Sequence, residues 1–463
     1  MRCHHLGQKL LAAITGSTLI LLGIVAEAKP AGSAGGGTLN AKTKFFVPPP
    51  DSAAIQQGID LLKAHNLKAV LELAAMLAQG HAVWFTSGTP QEVHQSVHKT
   101  MKDAALEDRV PVVVAYNVPY RDCAQYSAGG AADTAAYEAW IDGFAAGIGN
   151  AKAVVILEPD SLGIIPYNTT IYGATEWCQP TVTDSQGIVT PAPGADPTNR
   201  YTQISYAVTS LKSHAPNALV YLDGTHSAWL GVGEAAYRLN KAGVASAAGF
   251  FLNASNYQPT DQATQFGTWV SDCITAATAG PSWALGHFDW CPSQYNQALN
   301  WAVDYSPAYA ATVTAGLQGL MGGAAATTHF IIDTSRNGQG TLNTAQYAAA
   351  PYGQPASVLG ALASGNWCNP PGAGLGLSPS AKTGVALLDA YLWVKVPGES
   401  DGQCDSAGGA RAWDYSAYNP WNLTPAAQST FDPLWGIIDP AAGAWFPAQA
   451  LQLAQNANPP LLP

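Results

Sequence analysis

The stretch AVVILEPDSLG (153–163) decides how this chain is read: an apolar run with no polar face stops abruptly at two carboxyl groups, Glu158 and Asp160. Strands buried on both faces have this form, and they belong to parallel sheets covered by helices. Six more runs share it: HAVWF (81–85), VPVVVAYN (110–117), ALVYLDG (218–224), AGFFLN (248–253), HFIID (329–333) and AYLWVKV (390–396). Alanine-rich amphipathic segments lie between them, for example TAAYEAWIDGFAAGI (134–148) and ISYAVTSLK (204–212). Such alternation implies a β/α barrel or a doubly wound sheet.

The ends of the runs separate these two. They stop at Tyr116 and Asp122, Glu158 and Asp160, Asp223 and His226, Asn253 and Asn256, Asp333, and finally Lys395, Glu399 and Asp401. A β/α barrel gathers its active site at the C-terminal ends of its strands, where the loops converge. A doubly wound sheet gathers one only at its switch point. So many polar strand ends favour a barrel-like ring, in one α/β domain covering residues 42–463.

Upstream, Arg2 and Lys9 precede the apolar core LLAAITGSTLILLGIVA (10–26), and Ala26-Glu27-Ala28 resembles a cleavage site. Residues 1–28 therefore read as a signal peptide and 29–41 as a flexible leader. A secreted, extracellular protein is expected, with a retained anchor as the alternative. Net charge is −11, only 11% of residues are charged, and no basic cluster occurs. Nucleic acid and anionic membranes are thereby disfavoured as partners. Cys3 leaves with the signal, and six cysteines (123, 178, 273, 291, 368 and 404) suggest three disulfides in an exported chain. None has C-x-x-C spacing, so no metal site is expected.

Acid-assisted hydrolysis needs one carboxyl group held protonated to donate to the leaving atom and room for an activated water on the opposite side. Asp122, Asp160 and Asp401 are the strand-end candidates. Asp160 follows an apolar run that could raise its pKa; equally, Asp160-Ser161 could cap a helix. Asp122 beside Arg121 could be a structural ion pair, and Asp401 within GESDG an ordinary turn residue.

Seven blocks then occur in one order: VVVAYNVPYRDC (112–123), VVILEPDSLG (154–163), LVYLDGTHSAWLG (219–231), GFFLNASNY (249–257), HFIIDTSRNG (329–338), WCNPPGAGLG (367–376) and WVKVPGESDG (393–402). The series closely resembles glycoside hydrolase family 6, a family of endoglucanases and cellobiohydrolases. The resemblance implies a distorted seven-stranded parallel β/α barrel and an inverting cleavage of β-1,4-glucan. It assigns Asp160 as general acid, Asp122 as the carboxylate that tunes it and orders a water chain, and Asp401 as the base. It places Tyr116 against the distorted sugar and Ser127 beside the water. Trp84, Trp229 and Trp367 match sugar platforms, and His226, Asn256, Lys395 and Glu399 match groups that bind hydroxyls. Cys123–Cys178 and Cys368–Cys404 match family bridges, which leaves Cys273 with Cys291.

Two departures stand out. Val232 occupies a position that carries a second tryptophan in some chain-end-cutting members, and Tyr120 replaces a smaller residue. Together with the absence of a visible linker or binding module, Val232 favours internal cleavage, with chain-end cleavage as the alternative and a non-catalytic carbohydrate-binding protein as a distant one. No cofactor is implied, and a monomer is expected. Asn168, Asn253 and Asn422 begin N-x-S/T triplets.

Overall fold

The computed structural model describes residues 39–462 apart from Gly408. The expected signal peptide (1–28) and most of the leader (29–41) lie outside the described residues.

Seven strands form one sheet in chain order, every pair parallel: β1 Val83–Phe85, β2 Val112–Ala115, β3 Ala153–Leu157, β4 Ala218–Asp223, β5 Gly249–Leu252, β6 His329–Asp333 and β7 Leu388–Leu392. Consecutive order without reversal is the topology of a barrel, and the doubly wound alternative is dropped. Successive side chains point to opposite faces, which divides the apolar runs into two layers. Val112, Val114, Val154, Ile156, Tyr221, Phe251, Ile331 and Leu392 form one cluster inside the curl. Val113, Ala115, Val155, Leu157, Leu222, Phe250 and Ile332 form the other, against the surrounding helices. Double burial is the physical reason these runs lack a polar face.

The helices include α1 Ser52–Lys63, α2 Leu67–Leu77, α3 Pro90–Leu106, α4 Thr134–Ile148, α5 Pro197–His214, α6 Val232–Lys241, α7 Thr260–Ala279, α8 Pro307–Met321 and, near the end, α9 Pro447–Gln455. Helix α3 starts where its sequence dictates. Thr89 and Glu92 satisfy each other's backbone N–H groups at 3.2 and 2.7 Å, and Pro90 takes the first helical position.

Strands β7 and β1 share no ladder among the described residues, so the ring is incomplete. A backbone bond from Ala82 N–H to the Trp393 carbonyl (2.9 Å) and another from the Trp84 indole to the Val394 carbonyl (2.8 Å) draw its edges together. Leu73 and Met76 of α2, Trp393, Trp445 and Leu453 of α9 pack over this seam. Strand β7 lies two residues earlier than the run AYLWVKV suggests. Its continuation leaves the sheet because the buried Asp333 carboxylate takes the N–H groups of Val394 and Lys395 at 3.1 and 3.0 Å.

Cys123–Cys178, Cys273–Cys291 and Cys368–Cys404 are bonded. Of the three triplet asparagines, Asn168 and Asn253 are buried and Asn422 is exposed.

Candidate active site

Three buried carboxylates hold the strand ends in place. Glu158 accepts the N–H groups of Asn117 and Val118 beyond β2, with nearest distances of 2.8 and 3.0 Å. Asp223 accepts those of Leu162 and Gly163 beyond β3 (3.0 and 3.1 Å) and of Thr225 (2.9 Å). Asp333 joins Ser255, Ser335, Val394 and Lys395 from three strand ends. Backbone donors at a ring's rim have no ladder partner, so carboxylates that supply one stabilise loops otherwise costly to bury.

Those loops carry the candidate residues in strained conformations. Tyr120, Asp122, Cys123, Glu158 and Asp160 all have positive φ, between 45° and 64°. The left-handed region is unfavourable for residues with a Cβ, and such strain concentrates at functional sites. No helix starts at Asp160; the next is α5. The helix-cap reading is therefore overturned.

Asp160 receives no cation. Among the described residues no lysine or arginine pairs with it, and its pKa rises well above the ordinary carboxylate range through burial, then through the charges of Asp223, Asp122 and Asp401. Asp122 is pushed up to about 6 by burial, against the Ser127 N–H it accepts at 2.8 Å and the nearby Arg121 charge. No ion pair joins Arg121 to Asp122 among the described residues. The guanidinium instead donates to the carbonyls of Ser127 (2.9 Å), Thr86 (3.0 Å) and Tyr116, lying 4.4 Å over the Tyr116 ring.

Asp401 is the opposite case. Burial pushes its pKa up, but Arg336 (2.7 Å) and Lys395 (3.3 Å) outweigh this, with the Asn369 N–H (3.0 Å), and the carboxylate ends below its usual value. It is a fixed anion, not a simple turn residue.

The aromatic candidates stand around these groups. Trp84 meets Tyr116 edge-on at 5.4 Å, His226 lies 5.6 Å from Trp229, and Tyr126 lies 5.8 Å from Trp367. Trp229 covers the loop after Asp160: a Cβ on Gly163 would sit 2.5 Å from its ring, so only glycine fits there. Burial lowers the His226 pKa to about 4, leaving a neutral ring. Its Nδ1 accepts the Ala228 N–H (3.2 Å), which assigns the proton to Nε2 as a free donor. Lys395 donates to the Ser400 carbonyl (3.0 Å). Glu399 is raised to about 6 by burial, with Lys395 opposing. Asn256 accepts the Tyr257 N–H (3.1 Å) and touches no other candidate closely enough to bond among the described residues.

Buried arginines are the parts that sequence reading missed. Arg200 donates to the carbonyls of Ser161, Ile164 and Pro119, each at 2.8 Å, and so locks the Asp160 and Asp122 loops together. Arg238 binds Glu234, Glu176 and the Leu162 carbonyl. Arg336 had one signal, its place in the strand-end block HFIIDTSRNG. Arg200 and Arg238 had none, because an arginine on a polar helix reads as solvated. Tyr120 also acquires a role: its hydroxyl donates to the Pro193 carbonyl (2.6 Å) and ties its loop to the 161–196 arm.

A curled parallel β/α barrel whose strand ends bring together a carboxyl group with a raised pKa, a carboxylate paired with two cations and half-buried tryptophans fits a glycoside hydrolase. The chain belongs to the glycosyl hydrolases family 6, whose family model matches residues 40–457. It is 30% identical to Endoglucanase 1 of Streptomyces sp. (strain KSM-9) over 335 residues, 72% of this chain and 67% of that protein. It is also 30% identical to 1,4-beta-D-glucan cellobiohydrolase C of Emericella nidulans over 359 residues, 75% of this chain and 61% of the relative. Among solved structures it resembles the endoglucanase Cel6 from Mycobacterium tuberculosis, with a TM-score of 0.55 and 28% identity over 90% of this chain and 98% of that one. The match spans between 56% and 67% of the length of such curated relatives, and these include both endoglucanases and cellobiohydrolases.

Proposed function

We propose that this protein is a secreted, monomeric endo-β-1,4-glucanase that cleaves cellulose and related β-glucans with inversion, residues 42–463 forming its catalytic domain. Asp160 protonates the glycosidic oxygen while a water attacks the anomeric carbon from the opposite face. The water is aligned by Asp122 and Ser127, and Tyr116 crowds the sugar at the cleavage point. Asp401, paired with Arg336 and Lys395, is too weakly basic to take a proton outright. Its charge draws the departing proton along a chain of waters. Trp84, Trp229 and Trp367 stack on glucosyl faces, and His226, Asn256, Lys395 and Glu399 bind hydroxyls. The described helices include none long and apolar enough to cross a membrane.

Internal cleavage needs an open groove, and the observation that carries this reading is the course of the chain after Asp401. Cys404 follows at once and is bonded to Cys368, and Arg411 then reaches the Cys368 carbonyl. Beyond it Trp413 packs on Tyr347 and Tyr352, and the Asp414 N–H donates to Gln354. The long stretch 402–440 is thereby laid against residues 344–369. The arm between Asp160 and Tyr201, the other segment long enough to fold over the groove, carries a hairpin, Thr181–Thr183 with Val189–Pro191, whose residues are all exposed. One contact favours a covered groove and hence chain-end cleavage: Tyr126 donates to the Asp405 carbonyl (3.0 Å) across two loops.

Viscosity and reducing ends measured together on carboxymethylcellulose discriminate the modes. Early collapse of viscosity with mixed oligomers is expected. Near-pure cellobiose with viscosity preserved would replace this proposal with a cellobiohydrolase.

A further inference from the structure

Beyond Trp229 the molecule displays aromatic surface that the catalytic groove does not use. Trp283, Trp290 and Trp301 are 54%, 48% and 61% exposed, all within the segment joining α7 to α8. Three large rings left in water on one short segment form a candidate binding surface.

The segment is held firmly at the Trp229 end of the site. Cys291 is bonded to Cys273 of α7. The Tyr295 hydroxyl donates to the Trp229 carbonyl (2.7 Å), Gln294 to the Leu230 carbonyl (2.9 Å) and Tyr305 to the Ser227 carbonyl (2.8 Å). The hairpin Tyr295–Asn296 with Ala302–Val303, which presents Trp301, is therefore built onto the loop that carries Trp229. Trp290 is close by, since the neighbouring Phe288 carbonyl lies 2.3 Å from where a Cβ on Gly233 would stand, at the start of α6. Val232, beside that glycine, is fully buried and offers no ring of its own.

These rings are preordered. His287 stacks on Trp290 at 3.7 Å and 12°, and Trp283 lies 6.5 Å from Trp290 at 25°. Trp301 has φ 62°, a costly conformation for a bulky residue at an exposed hairpin. The chemistry of the segment narrows the occupant. PSWALGHFDWCPSQYNQALNWAV (281–303) holds one acidic residue, Asp289, and no lysine or arginine. Indole faces bordered by neutral amides suit an uncharged polymer with apolar ring faces and hydroxyl edges, not a polyanion.

We propose that Trp301 and the Trp283–Trp290 pair form an accessory surface that grips glucosyl units of a long β-1,4-glucan chain beyond the Trp229 end of the groove. The proposal rests on the β-glucanase reading above. It predicts that grip on long or insoluble glucan separates from cleavage of short oligomers.

The test uses the full chain carrying Trp301→Ala, a Trp283→Ala/Trp290→Ala double variant, and Trp301→Tyr. Adsorption to amorphous cellulose and rates on cellotetraose are measured alongside thermal midpoints. Each alanine variant should adsorb about three- to tenfold more weakly, the scale of a lost aromatic contact. Cellotetraose rates should stay at the wild-type level, and Trp301→Tyr should keep most of the adsorption. Unchanged adsorption in both alanine variants would overturn the proposal. So would sedimentation showing that these substitutions split a dimer, which would make the patch a self-association face. A wild-type chain that neither adsorbs to nor cleaves β-1,4-glucan would remove the underlying reading instead.

Discussion

Replacing Asp122 with asparagine tests the electrostatics of the site with little change of shape. The amide oxygen can still accept the Ser127 N–H now taken by the carboxylate at 2.8 Å, so the loop geometry survives while the charge is lost. Asp160 holds its proton through burial and the charges of Asp223, Asp122 and Asp401. The variant removes one of the three charges. Two unit charges about 5–8 Å apart at an effective dielectric near 20 interact by about 2–3 kcal/mol, an upper bound here because Asp122 is only half-buried. We therefore expect the Asp160 pKa to fall by about one unit, since one unit corresponds to about 1.4 kcal/mol. The sign follows from the role. A general acid works only while protonated, so a lower pKa moves the alkaline limb of the kcat profile to lower pH. The assay is kcat against pH on a soluble β-glucan for both proteins, with thermal midpoints as a control for folding. An alkaline limb in the wild-type position would refute the coupling of the two carboxyl groups.

Asp160→Ala should keep glucan binding and lose about 10²–10⁴-fold in turnover, while a substrate whose leaving group needs no proton is largely spared; wild-type rates on cellulose would remove Asp160 as the acid. Proton NMR at early times should show the α-anomer as first product, and an initial β-anomer would exclude inversion. Asp439→Asn probes a buried pair. Burial and the Asp432 charge raise Asp439 to about 8, so the folded chain keeps a proton that the unfolded chain releases. That contribution is complete below about pH 4 and is lost as pH rises through about 8. The asparagine variant, which mimics the protonated form, should therefore lose less thermal stability between about pH 5 and pH 9 than wild type. Identical slopes would show that Asp439 carries no such dependence.

The barrel was legible in the sequence because its cause is local. A strand buried on both faces must be apolar throughout, and seven such runs are visible without any knowledge of their partners. The error at β7 has the same origin. Asp389 and Tyr391 are only partly buried there, so the strand itself looks polar, while the apolar WV that follows belongs to the loop. Helix α4 was legible to the residue because Asp133 caps it and Gly149 ends it.

The division of labour among the carboxyl groups was not legible, and the reason is where the cations come from. Arg336 reaches Asp401 from 65 positions away, Arg411 pairs with Asp432 across 21, and Arg238 takes Glu176 across 62. All three arginines are almost wholly buried, which is tolerable only with partners that restore the lost hydration. Asp401, so paired, ends below the usual carboxylate range and is fixed as an anion. Asp160 looks like its neighbours in sequence, yet among the described residues folding brings it other carboxylates and no paired lysine or arginine. Protonation is then its cheapest state, and a proton kept in a groove bordered by tryptophans is what a glycosidic oxygen requires. The acid is thus selected less by its own residue type than by the absence of an arginine that the rest of the chain directs elsewhere.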